Sequence, residues 1–458
     1  MHKEMSNSNE IKVTGDDKER IHRLTPMVMP AHLEPVARKL FEMVCCGSQS
    51  MWPLDSERLK NDEAYNAEFR RLVHQGWWSA QEMFLDRLES EEDFAPGEEA
   101  LYRMAMDTIA WTMLDRQLCY ARRLFKENRQ PSLKHSNLAS VILAAGQVRR
   151  ETPNCMPLIT DLTTFVQVGD MLIRDPDSST MTIAEVKEGP KNAELSRKVM
   201  LYKQSGCEEF KQLALNGESP LTTKQFERMA RQVDRMQFVT EALNDKRTRD
   251  PDTKKEVHIR EPYFPVAEWD EEFNSVCDGA MEKGWATDVV DNCLFLGAYA
   301  RKNYPVSPVL FWIWLKEFAG NERTPIARMI DCVWQPLALP LTCLMISPER
   351  IMDILFGRLH VCMGISIPAL VAECERNGIT VRPPKNKKER KTTNGSGQDS
   401  IRYRGQPIVL ERDGKVVMPA VGIFVRCLFH FQRPMAAIEA LFEIYDFPED
   451  APERDEII

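Results

Sequence analysis

Apolar residues recur at three-to-four spacing over most of residues 31 to 130, the mark of amphipathic helices, with few β-branched runs. The spacing predicts helices over His32 to Val44, Ala64 to Leu88 and Gly97 to Lys126. In the last of these, Leu101, Met104, Ala105, Ile109, Trp111 and Leu114 fill more than one face, so burial on two sides is expected. After Gln130-Pro131 a further helix is expected from His135 to Arg150, and then the period changes. Leu158-Ile159, Thr163 to Val168, Asp170 to Arg174 and Met181 to Val186 read as strands, with a dense turn signal, Asp175-Pro176-Asp177-Ser178-Ser179, between the last two. Helices return over Ala193 to Leu215 and Thr222 to Leu243.

Downstream, Asn244 to Lys255 reads as a polar linker. From about Glu261 helix signals (Phe311 to Phe318, Ser347 to Leu359, Pro368 to Arg376) mix with a hairpin in which Ile408 to Leu410 and Val416 to Met418 flank Asp413-Gly414. Pro383 to Ser400 holds almost no apolar residue and reads as a flexible loop. The length of 458 residues calls for about three units. The expected layout is a flexible tail (1–25), a helical region (26–130), a core (131–250), a C-terminal α+β domain (256–445) with its loop at 383–400, and an acidic tail (446–458).

Composition narrows the class. With 43% hydrophobic and 28% charged residues the chain is ordinary globular material, neither disordered nor collagenous. Its twelve cysteines form no CxxC pair or zinc ladder, so reduced thiols in a cytoplasmic setting are expected. The most apolar stretches, Pro305 to Leu315 and Val333 to Ile346, fall short of the ~18 residues a spanning helix needs, and no secretory signal opens the chain. No membrane span is expected. The net charge of −9 argues against a protein that is basic throughout, yet Arg382 to Arg404 carries eight bases against Glu389 and Asp399. A polyanion site would have to be regional.

The segment richest in chemistry is Val168-Gly169-Asp170 with Glu185-Val186-Lys187. Symmetric antiparallel pairing across the Asp-Pro-Asp-Ser-Ser turn sets Asp170 opposite Glu185, where Cα atoms lie roughly 4.5 to 5.5 Å apart. Alternation puts Lys187 on the face of Glu185. Two crowded carboxylates repel and raise a pKa, so the pair asks for a cation, and Mg²⁺ or Mn²⁺ suits hard oxygen donors. Such an ion activates water and offsets charge on a phosphate, with Lys187 adding a second positive charge.

These residues resemble the PD-(D/E)XK nuclease superfamily, whose core offers an acid on one strand and Glu-x-Lys on the next. The likeness covers about Leu138 to Leu243, with Gly169 standing where the family has proline. It implies a restriction-endonuclease-like α/β core, a mixed β-sheet flanked by helices, with metal ligands at Asp170 and Glu185 and a catalytic lysine at Lys187. Asp161 is a rival or additional acid, and Glu151 a candidate for the acid that many members carry on the preceding helix. Gln232, in Ala230-Arg231-Gln232-Val233, looks like the glutamine that some relatives place beside the site. It shares a helical stripe with Gln225, Arg228 and Arg235.

The expected function is therefore metal-dependent hydrolysis of nucleic acid, most readily DNA, with Arg228, Arg235, Lys385, Lys387 and Lys388 as backbone contacts. Restriction, repair and phage defence, with a homo-oligomer or a defence-system partner protein, are settings the resemblance implies. Each feature also has a plain reading. Glu-x-Lys is a common cross-strand ion pair, the stripe a solvated face, the basic loop a connector, and His360 and His430 core histidines. On those readings the chain is a non-catalytic nucleic-acid-binding or scaffold protein.

Overall fold

The computed structural model describes residues 15–46, 49–51, 54–90, 92–126, 133, 138–175, 180–251, 254, 256–259, 266–395 and 400–444. The acidic tail, residues 1–14 of the expected N-terminal tail, 176–179 of the hairpin turn and 396–399 of the basic loop lie outside them.

The chain mixes helices with small sheets and divides into two compact units. One comprises His32–Glu261 with Val333–Cys343; the other joins the segment ending at Ala31 to Pro262–Cys332 and Leu344–Asp446. The expected helical region and core thus fold as one body. Helix α1 (Gly15–Arg23) belongs to the second unit. The first unit opens with α2 (Glu34–Cys46), α3 (Ser56–Asn61), α4 (Glu63–Glu89), α5 (Glu98–Met113), α6 (Leu118–Leu124) and α7 (Leu138–Glu151). A meander of β1 (Met156–Ile159), β2 (Met171–Asp175) and β3 (Thr180–Ala184) follows. Then come α8 (Pro190–Ser205), α9 (Glu208–Leu215), α10 (Pro220–Asp245), β4 (Arg247–Arg249) and β5 (Glu256–His258).

Helix α5 is buried nearly all round, as its apolar positions require. It stops at Met113 instead of running on to Lys126 because Asp115 and Arg116 turn left-handed, with φ of 51° and 58°. Arg174 of β2 stabilises that turn, its Nη1 donating to the Met113 carbonyl at 2.5 Å and to Asp115 Oδ1 at 2.9 Å. Strands β1 and β2 pair antiparallel, as do β2 and β3. Among the described residues every strand pairing is antiparallel, so the mixed sheet expected above is corrected to an antiparallel meander.

The outer edge of β1 is closed by a side chain. Gln81 of α4, fully buried, donates to the Pro157 carbonyl at 3.1 Å and accepts from the Ile159 N–H at 2.9 Å, taking the place of a further strand. Residues 163–168 form no strand. The buried Asp107 of α5 accepts the Thr164 N–H at 2.7 Å and its hydroxyl at 2.6 Å, which diverts that backbone from a ladder. Part of the polar linker pairs as the β4–β5 hairpin. Helix α10 packs on β3 and α8, burying Phe226 and Met229 against Leu195 and Val199.

The second unit continues with α11 (Asp270–Lys283), β6 (Trp285–Val290), β7 (Leu294–Ala300), α12 (Ser307–Ala319), β8 (Ile326–Arg328), α13 (Pro348–Leu355), β9 (Leu359–Ile365) and α14 (Ile367–Arg376). After them come β10 (Thr380–Arg382), α15 (Lys387–Gly395), β11 (Arg402–Tyr403), β12 (Gln406–Pro407), β13 (Val409–Arg412), β14 (Lys415–Val417), α16 (Gly422–Phe429) and α17 (Pro434–Ile444). Its main sheet runs β6-β7-β9-β8. The hairpin around Asp413-Gly414 forms as expected, both residues left-handed at φ of 51° and 78°.

Two segments read as loose are ordered. Helix α1 replaces residues 15–23 of the tail because Asp17 is buried and accepts Trp312 Nε1–H at 2.9 Å and Lys316 Nζ at 2.7 Å. Helix α15 occupies much of the basic loop, started by a reciprocal cap. Asn386 Oδ1 accepts the Glu389 N–H at 2.8 Å, and Asn386 Nδ2 donates back to Glu389 Oε1 at 3.0 Å. His360 and His430 are buried, in keeping with core roles.

Candidate active site

The β2–β3 ladder runs from Met171 opposite Ala184 to Asp175 opposite Thr180, the register that symmetric pairing requires. Asp170 and Glu185 are the next positions outward. Two further bonds hold that end of the meander: the Asp170 N–H donates to the Ala184 carbonyl at 2.8 Å, and the Thr160 N–H to the Asp170 carbonyl at 3.0 Å. Thr160 Oγ1 also donates to the Gly169 carbonyl at 2.6 Å. Gly169 sits at φ +74°, and a Cβ there would lie 2.4 Å from Ile183 Cγ2 and 2.9 Å from the Ala184 oxygen. Glycine is thus required at the position where the resembled family carries proline.

Asp170 Oδ2 accepts the Val186 N–H at 2.6 Å. Lys187 Nζ donates to Glu185 Oε1 at 2.5 Å, with both side chains largely shielded yet open to solvent. Gln232 reaches the same place from α10: its Nε2 donates to Glu185 Oε1 at 3.4 Å and its Oε1 accepts from Lys187 Nζ at 3.5 Å. Asp170, Glu185, Lys187 and Gln232 therefore converge. Burial pushes the Asp170 carboxyl up to about 6, although the Val186 N–H favours its charged form. Glu185 adds to the rise, Lys187 opposes it, and Asp161 contributes weakly in the same sense as Glu185.

The other expected residues distribute differently. Asp161 lies in the turn Thr160–Leu162, where its carbonyl accepts from Arg103 Nη1 at 3.0 Å. Among the described residues no three His, Cys, Asp or Glu side chains gather as a metal site. Glu151 is exposed at the end of α7, accepting from Gln147 Nε2 at 2.7 Å. Arg228 is exposed on α10, one turn before Gln232. Arg235, one turn after it, donates to the Arg123 carbonyl at 3.1 Å and lies over the Phe238 ring. Lys385, Lys387 and Lys388 belong to the other unit, exposed at and before the start of α15. Lys385 Nζ lies 3.4 Å from Glu411 Oε2.

Two residues near the site carry no sequence signal of their own. Thr160 is one, bracing Gly169 and Asp170. Lys126, just past α6, is the other: partial desolvation and then the Arg235 guanidinium lower its pKa, while Glu185 acts to raise it.

The donor set suits a hard divalent ion in kind. Asp170 Oδ1 and Glu185 Oε2 have no hydrogen bond among the described residues, and an ion of the Mg²⁺ type takes one or two carboxylates and keeps several waters. No family model matches the chain, and neither a curated protein nor a solved structure does. Among the described residues no helix is long and apolar enough to cross a membrane.

Proposed function

We propose that the chain is a metal-dependent nuclease that hydrolyses phosphodiester bonds, DNA being the first substrate to try. The observation that carries the reading is the convergence of Asp170, Glu185, Lys187 and Gln232 at one end of the β2–β3 hairpin. Asp170 and Glu185 would hold a Mg²⁺ or Mn²⁺ ion, whose chemistry there is to make hydroxide available near neutral pH and to offset charge on phosphate. Lys187, tethered to Glu185, places a positive charge where negative charge builds on the phosphoryl oxygens. Gln232 contacts both Glu185 and Lys187, so its amide fixes the orientation of the acid and the ammonium. The resembled nuclease family supplies the reaction class.

The test is cleavage of plasmid, linear duplex, single-stranded DNA and RNA with Mg²⁺ or Mn²⁺. Asp170→Ala, Glu185→Ala and Lys187→Ala should each lower turnover by at least ~100-fold with the far-UV circular dichroism unchanged, and Gln232→Ala should lower it less. Turnover retained by any two of the first three defeats the site. The rival reading, a binding or scaffold protein, is favoured by the Lys187–Glu185 bond, which occupies the ammonium within the protein. Nucleic-acid binding with no hydrolysis under any metal would select it.

A further inference from the structure

We propose that the outer face of α12 is a homodimer contact, on which the same helix of a second copy packs antiparallel about a two-fold axis. This contact does not depend on the nuclease reading, and it gives a role to the apolar stretch Pro305 to Leu315, which that reading leaves unused.

Helix α12 is apolar on both sides. Its inner side, Phe311, Trp312 and Leu315, is buried with Leu24, Phe295 and Tyr299 in the core of its unit. A surface helix normally turns charge toward water on the side opposite such a stripe. Here Val306, Val309, Leu310 and Phe318 are 47%, 40%, 45% and 49% exposed, with Ile313 half-buried between them. Counted from the N-cap Val306, positions 306, 309, 310, 313 and 317 follow the spacing of one helix face, and Glu317 is the only charged residue among them. Rotation cannot hide this side, because the inner one is full and Lys316, at its edge, is tied to Asp17. Trp314 and Phe318 lie against the buried Phe295, with ring centroids 4.9 and 4.8 Å away, so the face is set before any partner arrives.

Size and symmetry point to a second copy. Half of each of the four exposed side chains, with the partly open Ile313 and Trp314, makes roughly 300 to 400 Å² of contiguous apolar surface, the scale that marks a contact site. One side of a standard interface covers about 800 Å², of which about 57% is apolar, so this face supplies most of what a modest dimer needs. A two-fold axis level with the midpoint between Phe311 and Trp312 sets Pro305 against Phe318, Val309 against Trp314 and Leu310 against Ile313. The aliphatic first half of the face then packs on the largely aromatic second half, and no side chain is opposed to itself. Charge agrees with this orientation. Arg301 and Lys302 are exposed before the helix, while Glu317 and Glu322 stand with Arg323 at its far end. Among the described residues Lys302 and Glu317 make no ion pair, and antiparallel packing brings Lys302 of one copy toward Glu317 of the other. The two helix macrodipoles also oppose one another.

The experiment is sedimentation velocity of the full chain from below 1 to about 100 μM, where a monomer–dimer equilibrium with a Kd of about 1 to 50 μM is expected. Leu310→Glu should weaken dimerisation at least ~30-fold with the far-UV circular dichroism unchanged, because it places a charge at the centre of the contact. Lys302→Glu and Glu317→Lys should each weaken it ~3- to 10-fold, and the double variant should recover the wild-type Kd, since the two charges meet only across the axis. That rescue keeps the test conclusive if Leu310→Glu does not fold. A chain that stays monomeric at about 100 μM overturns the second copy as occupant, whether the face then takes lipid vesicles or a different protein. A dimer indifferent to Leu310→Glu, or charge variants without rescue, overturns the antiparallel contact.

Discussion

Two shielded acids in each unit are treated in opposite ways. In the unit that contains α1 and α15, each is met by a cation that donates to it directly. Asp17 accepts Lys316 Nζ, and Glu389 accepts both Nη atoms of Arg382 together with the Lys385 N–H. Those bonds, Arg382 first, hold the Glu389 carboxyl down at about 2. In the other unit burial pushes Asp170 up to about 6 and Asp107 to about 7, and their hydrogen bonds come from uncharged donors, Val186 and Thr164. That unit does not lack cations, since Arg87 pairs with the buried Glu98. The difference is local. A compensated acid serves packing, whereas an acid kept short of compensation marks a place where something else supplies the charge. Asp107 ties down the segment before Asp170; Asp170 itself faces Glu185.

Three measurements bear on this contrast. The largest effect is expected where compensation is complete: Asp17→Ala leaves the buried Trp312 Nε1–H and the Lys316 ammonium without their acceptor, and urea unfolding should show a loss of ~2 to 3 kcal/mol. A loss below ~0.5 kcal/mol would mean that α1 is not anchored by this acid.

Replacing Asp170 with asparagine should act in the opposite direction. A carboxyl whose pKa is raised on folding adds stability below the unfolded pKa, near 3.8, and that stability is lost as pH rises through about 6. Asp170→Asn should therefore unfold later than wild type at pH 8 in EDTA, by ~1 kcal/mol once solvent screening of a half-buried group is allowed for, and the gain should vanish below about pH 4. Mg²⁺ or Mn²⁺ should then stabilise the wild type and hardly the variant, because ligands stabilise the state they bind. Lower apo stability with a surviving metal response would make Asp170 a structural acceptor and direct attention to Asp161.

The smallest effect is expected at α15. Serine at Lys385, Lys387, Lys388, Arg390 and Lys391 should change stability by less than ~0.5 kcal/mol while flattening the salt dependence of DNA binding. An unchanged slope would make the exposed bases of α15 a solvated face only.

The hairpin and most of its site were legible from the chain because their determinants are short-range. Turn residues separate two alternating runs, so the register of Asp170 and Glu185 follows from counting and the face of Lys187 from strand alternation, whereas Gln232 was pointed out by its likeness to the glutamine of the resembled family. Where every residue is buried no alternation exists to read. Strands β7 and β9 are buried along their whole length, and the second of them lay unseen at the end of a supposed helix. The break between α5 and α6 escaped for a different reason: it needs left-handed Asp115 and Arg116, and Arg174, far along the chain, supplies the bonds that hold it. Asp17 and Glu389 sat in stretches polar enough to pass for loose chain. Their order comes from Lys316 and Arg382, and Lys126 likewise owes its place to Gln167 and to the clamp of Arg235 on Arg123. Periodicity and turn chemistry act over a few residues and leave a trace in the letters. Compensation of a buried charge depends on which distant group the folded chain brings within about 3 Å, and no local pattern records that.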